Sequence, residues 1–261
     1  MNRDPERNLL IYEALKNFKI WSHLGWRDLR AQYARTKIGP WWSAASLAAI
    51  IAGTSLAIGL LGNNTAASIT PRLAIGLSIW TFFSVALSEG AGLFENERSL
   101  LLNSTIDETS LVLRVIWRNA MIYLHNLPVV LLGLLVGGYH FTPYIFLLIP
   151  ISLLVAPMLI YPVFLFARLT LWQRDLKSLL PSVIQVGFFL TPIFWTPPAT
   201  GPMHFLFQIN PAAWLVILAQ NAVLQSNFHV DLFIRLCCFI LFSLVMLELS
   251  KGSLRNVRKL I

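Results

Sequence analysis

The stretch RDLRAQYARTKIGPWWSAASLAAIIAGTSLAIGLL, residues 27–61, passes from one solvent into another. Arg27, Arg30, Arg35 and Lys37 crowd its first part. Gly39-Pro40 turns the chain, Trp41 and Trp42 follow, and no charge occurs in the rest. Cations suit an anionic headgroup surface, and tryptophan rings favour the boundary between headgroups and hydrocarbon. The run from Trp41 to Leu61 is long enough to cross a bilayer, which takes about 20 apolar residues.

The whole chain has the composition of such a solvent. Of its 261 residues, 56% are apolar and 12% charged, where a soluble domain carries about 25% charged residues. An all-α polytopic membrane protein is expected. Asp4 and Glu6 precede the first apolar run, so no secretory leader is expected. Cys237 and Cys238 are adjacent within an apolar run and read as packing residues. The net charge of +8 points to the membrane surface, with no nucleic acid implied.

Six stretches qualify as spans: 41–61, 73–93, 112–136, 144–166, 179–195 and 232–249. Glu89 interrupts the second near its end. A seventh apolar stretch, 202–224, is cut by Asn210-Pro211, because proline removes a donor and restricts the residue before it. It reads as a pair of short helices in the interface. Charge bias fits six spans with both termini inside. The N-terminal segment, the 94–118 region, the 168–177 connection and the C-terminal tail then collect the basic residues on one side. Of the 20 basic residues, Arg72 and Arg235 alone fall near the other face. The chain thus divides into an amphipathic, basic interfacial segment, 1–40, and a membrane domain, 41–261. In the first, Ile11, Leu15, Phe18, Trp21 and Leu24 recur at helical spacing.

Chemistry is sparse. There is no phosphate-binding glycine loop, no H-E-x-x-H and no G-x-S-x-G turn. The five histidines, His23, His125, His140, His204 and His229, lack metal-ligand spacing, so neither catalytic residues nor a metal are expected. Arg114, Arg118, Met121 and His125 share one helix face. Pairing with carboxylates such as Glu89 explains that stripe better than a proton path does. The segment FENERSLLLNSTIDETS, 94–110, suits a short helix lying along the membrane, able to dock a soluble partner. FFLTPIFWTPPATGPMHFLFQINPAAW, 188–214, is dense in aromatic rings and proline and reads as an aromatic belt.

In combination these blocks resemble a family, the membrane subunit of type-2 ABC exporters of lipid-linked polysaccharide (O-antigen, teichoic acid or capsule). RDLRAQYARTKIGPWWSA, 27–44, is similar to its basic segment ending in a G-P-x-W turn. RDLKSLLPSVIQVGFFLTPIFW, 174–195, is similar to its R-D-L … T-P-I block, and FQINPAAWLV, 207–216, to its N-P element. LRVIWRNAMIYLHN, 113–126, resembles the O-antigen branch. Ala34 departs from the pattern, standing where a second arginine often adjoins Arg35.

The resemblance implies a six-helix permease in a bacterial inner membrane. A second copy of the chain would pair with it, and two separate nucleotide-binding subunits would bind ATP and Mg. It implies an amphipathic helix at 9–24, a coupling helix at about 94–104 and external gate helices at about 202–224. The substrate would be a polysaccharide on undecaprenyl diphosphate. Candidate substrate-path residues are Arg27, Arg30, Arg35, Trp41 and Trp42 at an entrance, with Phe188, Phe194, Trp195 and Trp214 at an exit. Candidate ATPase contacts are Glu95, Glu97, Leu100 and Leu101. An exporter of a small hydrophobic drug or haem is the nearest alternative, and a membrane-embedded glycosyl- or phosphotransferase a more distant one.

Overall fold

The computed structural model describes residues 10–61, 65–103, 106–139 and 143–250, without the side chains of Leu10, Ile11 and Glu13. The basic tail, residues Arg3 and Arg7, His140 and the end of the 94–104 segment lie outside the described residues.

Every regular element among the described residues is helical. Two short elements, α1 (Leu10–Lys16) and α2 (Phe18–Tyr33), precede α3 (Trp41–Leu61) and α4 (Ala66–Gly90). Then come α5 (Leu93–Asn96), α6 (Arg98–Asn103) and α7 (Glu108–Val136). A 3-10 turn (Pro143–Leu147) leads through α8 (Leu148–Leu153) into α9 (Val155–Trp172), and α10 (Asp175–Leu190) follows. The chain ends with α11 (Pro202–Ile209), α12 (Pro211–Leu224) and α13 (Val230–Leu249).

Five of these stretches are long and apolar enough to cross a membrane: α3, α4, α7, the unit 143–172, and α13. The chain is therefore a multi-pass membrane protein. α4 is the hub, with 67% of its apolar window buried, against 22% for α3 and for α13. It packs against α3, α7, α9, α10 and α12.

One expected span changes, and the expected break in 202–224 is present. The span expected at 179–195 is a helix from Asp175 to Leu190, 16 residues long. At about 1.5 Å per residue it covers about 24 Å, short of a hydrocarbon core of about 30 Å. Pro192 ends it, because a residue before proline avoids the helical region, and Thr191 is accordingly extended (φ −96°, ψ 129°). The stretch 202–224 does break at Asn210, into two helices bent by 93°. The Asn210 side-chain oxygen accepts from the backbone N–H of Ala212 (3.0 Å) and Ala213 (3.2 Å). That cap restarts the helix where proline had stopped it.

At the N-terminal end, Asn17 divides the expected single amphipathic helix, and its second half runs on to Tyr33. The buried face is Trp21, Gly25 and Leu29, whereas Leu15 and Phe18 are exposed. This face packs on α7. Phe18, Trp21 and Trp117 meet edge to face. A Cβ on Gly25 would lie 3.0 Å from the Arg114 carbonyl oxygen and from the Trp117 ring. Glycine is what lets the two helices approach so closely.

Candidate functional site

At the end of the bundle that carries α2, the start of α7 anchors three other segments through charge. The Arg114 Nε donates to Asp28 Oδ2 of α2 at 2.5 Å, and its Nη2 lies 3.2 Å from Glu97 Oε1. One turn on, Arg118 pairs with Glu89 of α4, and the Asn119 amide donates to the same carboxylate at 2.6 Å. The stripe read from the sequence is thus a set of ion pairs between helices. His125 is held differently. Its Nδ1 meets the Met121 carbonyl at 2.7 Å, and its ring lies edge-on to Trp41.

Asp28 turns inward, while Arg27, Arg30 and Arg35 are exposed. Arg30 lies 5.6 Å over the Trp26 ring. None of the three arginines has an ion-pair partner among the described residues. Trp41 and Trp42 are also about half exposed. Directly behind this basic, aromatic skirt is a cavity of about 300 Å³, lined by Trp42 together with Tyr33, Ser43, Thr81, Asn119 and Asn126. Ser43 donates to Asn126 Oδ1 at 3.1 Å. Burial pushes the Tyr33 phenol above its ordinary pKa, so it remains a neutral hydrogen-bond donor at neutral pH. The sequence pattern did not single out this cavity, since its walls come from α2, α3, α4 and α7.

The 94–104 segment corrects one expectation. Leu101 is fully buried and Leu100 partly so, while Leu102 is half exposed. A buried Leu101 holds the segment to its own bundle and is not offered to a partner. Phe94 does the same, packing edge-on to Phe164 of α9. Glu97 is committed to Arg114. Glu95 faces outward near Arg174 (3.9 Å) and Lys177 (3.7 Å), and exposed pairs of this kind contribute about 0–1 kcal/mol. The outward surface of the segment is therefore Glu95, Asn96, Arg98, Ser99, Leu102 and Asn103.

The aromatic residues of the 188–214 stretch separate into two groups, one midway along α4 and one near the start of α13. Phe188 contacts Phe194 (6.0 Å), Phe189 (5.3 Å) and Trp80 of α4 (6.0 Å). Trp195 joins this group by donating its indole N–H to the Phe189 carbonyl at 3.2 Å. Trp214 belongs elsewhere. Its indole donates to the Phe207 carbonyl at 2.9 Å, and Arg235 of α13 lies 6.0 Å over its ring.

The irregular chain after α10 is held from below. Fully buried Gln220 donates to the carbonyls of Arg72 and Ile193, both at 3.1 Å. A Cβ on Gly76 would lie 2.9 Å from the Ile193 side chain, so glycine lets this strand of chain rest on α4. Trp80 and Gln220 escaped the sequence reading because neither stands in a motif.

Between the two ends runs a groove of about 650 Å³ formed by α3, α4 and α10. Its lining mixes Trp80, Ser84, Ser88, Glu89, Gln185 and Phe188 with apolar residues. Ser88 and Gln185 are exposed. No protein-family model and no curated protein matches the chain.

Proposed function

We propose that the chain is the permease subunit of an ATP-driven exporter of undecaprenyl-diphosphate-linked polysaccharide, with O-antigen as the leading substrate class. The groove between α3, α4 and α10 is the observation that carries this reading. Serine, glutamine and glutamate side chains facing lipid are costly. A second copy closing over the groove would turn it into an enclosed path with polar and aromatic walls. The helices flanking it, α3 and α10, bury few of their own residues, as helices awaiting a partner would.

The ends suit the same role. Arg27, Arg30 and Arg35 offer guanidinium forks that match phosphate oxygens at an inner headgroup surface. Phe188, Phe194 and Trp195 offer flat rings beside Trp80, midway along α4, where sugar faces can stack on their way out. Separate ATPase subunits would supply the energy, docking on the outward surface of α5 and α6. The charge bias supports a cytoplasmic side for that surface and for both termini in a bacterial inner membrane. Beside the five long spans, that requires one further crossing between residues 173 and 229, by α10 or by the bent pair α11–α12.

The test is ATP hydrolysis in vesicles holding this chain and a soluble P-loop ATPase from the same gene neighbourhood. Lipid-linked polysaccharide should stimulate hydrolysis. Stimulation by small hydrophobic compounds alone would shift the reading to a drug or haem exporter. Failure of any ATPase to co-purify would remove the exporter reading altogether.

A further inference from the structure

A second polar cavity, of about 390 Å³, opens at the far end of the bundle between α4, α11, α12 and the start of α13. Arg72 enters it from the second turn of α4. The guanidinium is partly buried, and among the described residues it makes no hydrogen bond and no ion pair. Asp231, the carboxylate nearest to hand in the cavity wall, is already paired with Arg235 at 3.1 Å. Arg235 in turn donates to Gln208 Oε1 and stacks on Trp214. With its carbonyl so occupied, the Gln208 amide donates to His204 Nε2 at 3.0 Å, and His204 Nδ1–H donates to the Pro198 carbonyl at 3.0 Å. This chain of bonds fixes the wall of the cavity and satisfies its charges without involving Arg72.

Three more side chains with spare hydrogen-bonding capacity point to the same ligand. Asn221, Gln225 and His229 line the cavity, and their side chains make no hydrogen bond to a described residue. A partly buried cation without a counter-charge is unfavourable. A cation that shares a cavity with neutral donors, with the Tyr139 phenol as its other polar neighbour, is an arrangement that accepts a multi-oxygen anion. Depth narrows the anion. Arg72 lies seven residues past the Thr65 cap of α4, which at about 1.5 Å per residue is about 10 Å below the helix end. In a bilayer whose far surface lies near the start of α4, that depth is close to the headgroups, where the anionic group membranes supply is phosphate.

We infer that the Arg72 cavity binds the phosphate group of an amphiphile in the leaflet at the far end of the bundle. A diphosphate on a prenyl chain is the ligand that would tie the cavity to export, and that identification rests on the function proposed above. An anionic phospholipid headgroup offers the same chemistry from the bilayer itself.

The test uses the full chain in nanodiscs of phosphatidylcholine and measures retention of radiolabelled farnesyl diphosphate. Hydrogen bonds to a charged group contribute about 1.5–3 kcal/mol, so Arg72→Gln should weaken retention by about tenfold or more. Arg72→Lys should restore part of it, and farnesol should be retained equally by all three proteins. Asn221→Leu approaches the site from another helix and should also weaken retention, which keeps the test valid if Arg72→Gln misfolds. Equal retention by the wild type and whichever of these variants folds would overturn the proposal. Phosphatidylglycerol competing as strongly as farnesyl diphosphate would keep the phosphate site and remove its link to the carrier. Arg72-dependent retention alongside a failed ATPase assay would leave the site standing without the exporter reading.

Discussion

Replacing Asp28 with Ala should loosen α2 from the bundle. Arg114 is 12% exposed and Asp28 17%, so the pair is largely out of water. Removing one partner of a buried pair costs about 3–5 kcal/mol, because the other charge is left uncompensated. Glu97 remains 3.2 Å from Arg114, which places the cost at the lower end, about 3 kcal/mol. At about 2–4 °C per kcal/mol for a chain of this size, the unfolding temperature should fall by about 6–12 °C. The triple change Asp28→Leu, Arg114→Met and Glu97→Gln removes the charges of the cluster together and should recover most of that loss. Arg114→Met without Glu97→Gln would leave the Glu97 carboxylate unpaired. Thermal unfolding in detergent reads the stability, and amide exchange across Phe18–Tyr33 reads the detachment. Unchanged α2 exchange with a shift under about 2 °C in Asp28→Ala would refute the view that this pair fixes the helix.

Leu101→Asp should destabilise the chain itself, lowering the yield of folded protein, whereas Leu102→Asp should leave folding intact and weaken ATPase co-purification; size-exclusion profiles beside pull-downs separate the two. A cysteine at Ser226 should react with an impermeant thiol reagent from outside intact cells and one at Ser99 should not, and the reverse pattern would invert the topology. Asn64 and Ser253 probe the same question from outside the described residues. Gln220→Leu strands the Ile193 carbonyl and removes the extra bond to the helical Arg72 carbonyl, and at about 1–3 kcal/mol for a buried unpaired group it should lower the unfolding temperature and raise amide exchange around residues 191–195. Arg30→Ala should reduce substrate-stimulated hydrolysis without altering insertion, with Arg30→Lys restoring only part, because an ammonium lacks the fork that grips two phosphate oxygens.

The span Trp41–Leu61 is legible to the residue, since Gly39-Pro40 and two tryptophans mark its start. So is the break at Asn210, where proline chemistry acts within the local chain. The stretch 143–172 is less so. Leu154 interrupts its helical bonding, three residues before Pro157, whose ring and missing N–H disturb the carbonyl at Leu153. Which leucine of Leu100-Leu101-Leu102 turns inward is invisible in sequence, because all three are equally apolar and only the neighbours decide. The same holds for the cavities. Arg72 read as a stray outer cation, and Asn221, Gln225 and His229 belong to no motif. Their convergence depends on how α12 and α13 pack against α4.

The candidate site is bound into one mechanical unit by Glu89. Its carboxylate accepts from Asn119 and pairs with Arg118 on α7, yet the same residue lines the groove beside Gln185 and Phe188 of α10. Arg118 stands one turn from Arg114, which holds both α2 and Glu97. A force on α5 or α6, where the proposed ATPase would push, would have contacts to follow to α7 through Glu97 and to the groove through Glu89. A load applied to α2 by a phosphate on its arginines enters the same lattice through Asp28. The charges at the start of α7 thus connect the three surfaces on which the proposed transport cycle would act. Stability alone would have been served as well by leucine.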